Sequence, residues 1–371
     1  MTRLLTLVAA TLAACSAVAT AAPPAVQAPA YIVRGGPNDV VLAARAPDAR
    51  RAQASITKLM TVLVALEHAR LSDVVTVTPA ATNVGESSVL LRPGERLTVK
   101  DLAIAALVPS ANDAATALAI HAGKGSLPRF VGMMNAKARA LGLTSTQFVN
   151  PHGLDTRGHF SSARDVATLL EAALRNPFIR TWSTRSTATI AGGRTLTSTD
   201  TLIGVLPIVG AKTGHTDAAG WSQVAAVQEN GVTITAALLG APSEAQRNAD
   251  LTALLTWGLA QYRPVTAIGS RVYGTAATGY GRDPVKLVAA RPVVIIVRVG
   301  SPLVERVVAT TSLALPVARG RRAGEVRVYA QGRLVARSPL VAAESVPAVG
   351  TADKVGWYAR RTVHHLTGMF S

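Results

Sequence analysis

Three short stretches hold residue types that can do chemistry: Ser55-Ile56-Thr57-Lys58, Ser110-Ala111-Asn112 and Lys212-Thr213-Gly214. A serine hydroxyl is a poor nucleophile until a base takes its proton. A lysine three residues further along a helix lies on the same face. It can be that base only if its pKa falls well below the ordinary value of about 10.4. Each stretch also has a plain explanation. Ser55 could cap a helix that carries a surface lysine. Ser110 could be an N-cap, with Asp113 closing a capping box. Lys212-Thr213-Gly214 could be a strand ending at a glycine turn. Singly, these explanations suffice, so the elements that would bring the stretches together decide the matter.

Tyr31–Val33 and Val40–Ala43 are short strand candidates joined by Gly35-Gly36-Pro37-Asn38-Asp39, a hairpin that leads directly to Ser55. From Thr57 to His68 the apolar positions suit a largely buried helix. Arg92-Pro93-Gly94-Glu95 reads as a turn. Thr98-Val99-Lys100-Asp101 has capping-box form, opening a helix over Leu102 to Val108 that Pro109 ends. A further Ala-rich helix runs from Ser110 to about Ala122. Beyond Val205 the pattern turns to strands, with Asn230-Gly231 between two apolar runs as a strong hairpin signal. Ala249 to Tyr262 is a closing helix. Helices inserted between an early hairpin and a later meander imply one antiparallel sheet built from both chain ends. That is an α+β arrangement over residues 31–263.

From Pro264 to about residue 350 short Val/Ile/Leu runs alternate with Gly, Pro and Arg, which predicts a small all-β domain. Residues 351–371 read as a basic amphipathic helix, with Val355, Ala359, Val363, Leu366 and Phe370 along one side. A membrane-surface helix fits that pattern, and so does one docked on its own protein. Trp357 falls off the apolar side.

The chain has 371 residues, 49% apolar and 4% aromatic, with a formal net charge of +17. Fifteen Lys/Arg against five Asp/Glu lie from residue 264 onward, so the charge is concentrated in the last third. Such an excess suits an anionic surrounding: nucleic acid, lipid headgroups or wall polymers. The first residues choose among these. Residues 1–21 have a basic start, an apolar run from Leu4 to Ala14 and the small-x-small site Ala19-Thr20-Ala21, the form of an export signal. Residues 22–30, rich in Pro and Ala, read as a linker. No later stretch reaches the roughly 20 apolar residues of a membrane span. An exported protein of the cell envelope is expected, with no nucleic acid partner and an anionic membrane surface as a candidate contact for the tail. Cys15 is the sole cysteine, so the mature chain forms no internal disulfide. Leu12-Ala13-Ala14-Cys15 also resembles a lipoprotein box, which would place a lipid on Cys15.

Taken in order, the three motifs form the set found in β-lactamases and penicillin-binding proteins. Together with Leu90–Thr98, Pro109–Ala115, Asn150–Leu154 and Lys212–Thr216, the stretch Ala54–Thr61 resembles the low-molecular-mass penicillin-binding proteins, the serine-type D-alanyl-D-alanine carboxypeptidases. The likeness runs from Tyr31 to Tyr262 and, more weakly, through a C-terminal β domain. It implies a β-lactamase/transpeptidase-like antiparallel sheet with a helical cluster, and a substrate that is a peptidoglycan stem peptide, with β-lactams as covalent inhibitors. By resemblance Ser55 is the nucleophile, Lys58 its base and Ser110 a proton relay to the leaving amine. Asn112 bonds the substrate backbone or holds Lys58. Lys212 attracts the substrate carboxylate and lowers the Lys58 pKa, Thr213 binds that carboxylate, and Gly214 lets the peptide lie along the strand. The N–H groups of Ser55 and His215 form the oxyanion hole. Two ammonium groups about 5 Å apart at an effective dielectric near 20 repel by about 3 kcal/mol, about two pKa units, so the scheme is physically self-consistent.

Ala111 replaces the family's usual middle glycine, and Gln53 stands where proline is common. A β-lactamase needs an additional glutamate to activate water. The nearest candidate, Glu171, falls in a helical run without the surrounding pattern. A sensor that acylates without turning over is the non-enzymatic alternative. His152, His159 and His215 have no ligand spacing, so neither a metal nor another cofactor is expected.

Overall fold

The computed structural model describes residues 9–13 and 22–367. Residues up to Tyr262 form one compact unit, and those from Arg263 form a second, which also takes in Ala9–Ala13.

In the larger unit the hairpin β1 (Ala30–Gly35) and β2 (Val40–Arg45) joins β3 (Ile208–Thr216), β4 (Gly220–Glu229) and β5 (Val232–Ala241). The order β2-β1-β5-β4-β3 is antiparallel throughout, so both ends of the unit meet at the β1–β5 pair. The β4–β5 hairpin turns at Asn230-Gly231, with Asn230 at φ 49° as a type I′ turn requires.

The longer helices are α1 (Thr57–His68), α2 (Val99–Leu107), α3 (Asn112–Ala122), α4 (Leu127–Ala140), α5 (Ala163–Ala173) and α6 (Glu244–Ala260). Every residue of α1 from Thr57 to Ala65 is buried, so this is a helix covered on all sides. The box at Thr98 forms in both directions and opens α2. Helix α6 starts five residues before the expected Ala249, because Ser243 caps it by accepting from the Gln246 N–H.

Residues 22–30 are not the loose linker the composition suggested. Val26 and Ala28 are buried, and the Asp250 carboxylate on α6 accepts the N–H groups of Gln27 and Ala28 at 2.9 and 3.0 Å.

In the second unit the strands are β6 (Val272–Ala276), β7 (Val285–Ala289), β8 (Val293–Arg298), β9 (Leu303–Ala309), β10 (Arg322–Ala330) and β11 (Arg333–Ala342). A sheet of order β9-β10-β11-β7-β6 is extended at β9 by Ala9–Ala13. Strand β8 pairs instead with Tyr262–Ile268. The expected leader region otherwise lies outside the described residues, as does the end of the tail.

Helix α7 (Thr351–Thr367) accounts for the position of Trp357. Its ring meets Tyr280 edge-on at 5.5 Å and Tyr358 at 5.1 Å, and Lys354 lies over the Tyr280 ring at 5.8 Å. The helix thus docks on its own unit through the side off the apolar stripe, while Val355, on the stripe, is 69% exposed.

Candidate active site

Ser55 lies in a 3₁₀ turn, Ala54–Ile56, that runs straight into α1. Lys58, one turn on, donates from Nζ to Ser55 Oγ at 2.6 Å and to the His152 carbonyl at 2.9 Å. The turn is strained: Ala54, fully buried, sits at φ 48°, a conformation costly for a residue with a Cβ. Two glycines permit that geometry. Gly153 has φ +95°, and a Cβ there would come within 2.0 Å of the Ala54 carbonyl oxygen. A Cβ on Gly214 would meet the Gln53 carbonyl at 2.8 Å and the Ser55 nitrogen at 3.1 Å. Gly214 therefore lets β3 press against the Ser55 turn, a reason for glycine different from the expected space for a peptide.

The second lysine comes from β3. Lys212 Nζ donates to Ser110 Oγ at 2.8 Å and to the Thr213 carbonyl at 3.0 Å, and both Lys58 and Lys212 are buried. Burial pushes the Lys58 pKa well below its ordinary value, and the charge of Lys212 pushes it further. Glu86 and Asp113 pull the other way. Burial brings Lys212 down to about 7, against the pull of Asp200.

Ser110 does not cap α3. It sits at φ 66°, and the N-cap is Ala111, without a side-chain bond. Asp113 instead accepts from Ser88 Oγ at 2.6 Å and from the Val89 and Leu91 N–H groups, drawing residues 85–91 across the start of α3. The Asn112 amide donates to the Gly85 carbonyl at 2.9 Å, and its Oδ1 is buried without a hydrogen-bond partner among the described residues. Such an atom is a waiting acceptor.

A cleft of about 450 Å³ joins Ser55, Ser110, Thr213, Gly214 and His215 to Glu86, Thr199 and Arg247. Thr213 Oγ1 and Thr199 Oγ1 are 2.6 Å apart. His215 stacks on Trp221 at 4.1 Å, and the Arg247 guanidinium lies 5.5 Å from the same ring. Sequence reading missed Thr199 and Arg247. Only the Ser243 cap, which places Arg247 in the first turn of α6, could have pointed to the latter.

His159 is buried and His152 half-buried, and both are held neutral, their pKa values lowered to about 4 and about 3, chiefly by desolvation. His159 Nδ1 accepts the Val149 N–H at 3.1 Å, so its Nε2 carries the hydrogen toward Thr57 Oγ1 at 2.8 Å. No group of three or more metal-ligating side chains occurs among the described residues. Glu171 does not line the cleft; its carboxylate is engaged by Arg34. Gly153→Ala should slow Ser55 modification by a serine-reactive acylating agent about 100-fold or more, since a shift of about 1 Å at a reacting atom costs that much. Unchanged modification kinetics would show that the Gly153 contact does not set the turn.

The D-alanyl-D-alanine carboxypeptidase family profile matches residues 17–243, and that of the penicillin-binding protein 5 C-terminal domain matches residues 261–348. The D-alanyl-D-alanine carboxypeptidase DacD of Salmonella typhimurium is 32% identical over 356 residues, covering 91% of this chain and 90% of that protein. DacA of Escherichia coli is 30% identical over 363 residues, covering 93% and 90%. Among solved structures, penicillin binding protein 5 from Haemophilus influenzae superposes with a TM-score of 0.64 at 28% identity, covering 88% of this chain and all of that one. The architecture is the α+β fold of the DD-peptidases with an all-β domain after the catalytic one. The motif-bearing unit and the β domain are thus matched in the same order, and the chain belongs to the serine-type D-alanyl-D-alanine carboxypeptidases.

Proposed function

We propose that this chain removes the terminal D-Ala from peptidoglycan stem pentapeptides through an acyl-enzyme on Ser55. The observation that carries this reading is the 2.6 Å contact between Ser55 Oγ and a buried lysine whose pKa is lowered. Neutral Lys58 takes the Ser55 proton as Oγ attacks the carbonyl carbon of the penultimate D-Ala. The N–H groups of Ser55 and His215 receive the developing oxyanion, an interaction worth about 3–4 kcal/mol in comparable sites. Ser110, held by Lys212, passes a proton to the amine of the leaving D-Ala. The C–N bond breaks, and water then cleaves the ester.

Lys212, Thr213 and Arg247 supply positive charge and a hydroxyl for the terminal carboxylate of the substrate. Asn112 Oδ1 accepts an N–H of the bound peptide. In this role Asn112 serves the substrate and not Lys58, since Lys58 Nζ bonds Ser55 and the His152 carbonyl while Asn112 Oδ1 has no partner among the described residues. A β-lactam presents the same acyl-amide carbonyl beside a carboxylate, so it enters the same reaction. Mass spectrometry after incubation with penicillin should find one adduct, on Ser55, and free D-Ala should be released from a diacylated L-Lys-D-Ala-D-Ala peptide. An adduct at another residue would sink the role of Ser55. Rapid penicillin hydrolysis without D-Ala release would support a β-lactamase, and a stable adduct without D-Ala release would support a sensor.

We further propose that the protein works outside the cytoplasmic membrane and rests on it through α7. No described helix is long and apolar enough to cross a membrane. Docking through Trp357 leaves Val355 and Ala359 facing out beside the exposed Arg360 and Arg361, a surface-lying arrangement. Val355→Asp with Ala359→Asp should weaken co-sedimentation with anionic vesicles several-fold. Undiminished binding would remove α7 from the contact.

A further inference from the structure

The outer face of the main sheet in the C-terminal unit holds three arginines in direct cross-strand register. Arg306 on β9 faces Arg327 on β10, and Arg327 faces Arg337 on β11. All three are exposed, while Val307, Val326, Val328 and Ala336 point the other way into the core. Neighbouring strands lie about 4.8 Å apart, so the ladder puts three guanidinium groups across about 10 Å. Like charges directly opposite one another destabilise a sheet. The compensation on this face is small. Arg327 pairs with Glu325 at 2.7 Å, Arg306 lies over the Tyr329 ring at 5.1 Å, and Arg337 has no ion-pair partner among the described residues. The arrangement costs the free protein stability, which points to a ligand that repays it.

We propose that the Arg306–Arg327–Arg337 ladder is a binding face for the phosphate headgroups of an anionic phospholipid surface. Guanidinium groups bind phosphate oxygens in a two-pronged geometry, and a sheet face presents them in one shallow layer. Tyr329, two residues beyond Arg327 on β10 and beside the Arg306 guanidinium, is a side chain suited to the headgroup level. Leu334 and Val335 at the start of β11 are 48% and 38% exposed, giving apolar contacts near the ladder. The α7 helix, in the same unit, leaves Val355 exposed, and a second contact in one body raises the overall affinity by effective concentration. The inference rests on the envelope placement proposed above, but on residues that neither catalysis nor α7 uses.

The test uses the full mature chain. Arg306→Gln/Arg327→Gln/Arg337→Gln is compared with wild type and with the charge-preserving triple Lys variant, by sedimentation with phosphatidylglycerol and with phosphatidylcholine vesicles. The triple Gln variant should lose tenfold or more of its affinity for phosphatidylglycerol and change nothing toward phosphatidylcholine. The triple Lys variant should keep most of the binding. The melting temperature of the Gln variant should stay level or rise at low salt, since a repulsion has been removed. D-Ala release from a soluble peptide should be unchanged, which separates failure here from failure of the catalytic reading.

Wild-type vesicle binding by the Gln variant would overturn the proposal. So would a lowered melting temperature in both triple variants, which would make the ladder structural. Retained lipid binding with loss of binding to a soluble phosphodiester polymer would assign the face to that polymer instead.

Discussion

Two buried lysine side chains, Lys58 and Lys212, set the terms for the rest of the catalytic unit. Lys58 and Lys212 both lose water, and both are pushed toward the neutral form by that loss. A cation in such a place is costly unless something stabilises it. The fold spends much of its structure on keeping them there. Helix α1 is covered on every side, so Lys58 has no route to solvent along its own helix. Strand β3 delivers Lys212 from the sheet and, through Gly214, lies close enough to the Ser55 turn to share a cleft with it. Neutral His152 and His159 line the same region without adding charge, and the His152 carbonyl gives Lys58 a second acceptor.

The acids nearby oppose this effect without reversing it: Glu86 and Asp113 raise the Lys58 pKa, while burial and Lys212 hold it well below its ordinary value. Asp113 spends its carboxylate on Ser88, Val89 and Leu91, which fixes the loop over α3. Asp200 accepts from Gln223 and from the Leu202 N–H. Glu244 is paired with Arg247. Beside Ser55 the net result is a lysine whose pKa is pushed well down.

Much of this was legible in the sequence because short motifs carry fixed geometry. A serine and a lysine three apart can only share a helix face, and the Thr98 box and the Asn230-Gly231 turn form as local rules require. The three motifs in order pointed to the family. Long-range contacts were hidden. Nothing local to Gly153 says that Ala54 will press on it, and nothing in the composition of residues 22–30 says that Asp250 will cap two of their N–H groups. Strands β7 and β9 are harder to read because Lys286, Glu305 and Arg306 interrupt their apolar runs. Trp357 looked misplaced only because its partner, Tyr280, lies in a turn far along the chain.

The central claim is that Lys58 is an unprotonated amine at working pH because it is buried beside Lys212. Carbon-13 labelling of the lysine side chains, with the Lys58 Cε resonance assigned by substitution and followed through a pH titration, measures this directly. The expected result is a titration well below the ordinary 10.4, moving to higher pH in Lys212→Gln, where one source of repulsion is gone. A Lys58 that titrates at its ordinary value, or that does not move when Lys212 is replaced, would contradict the account.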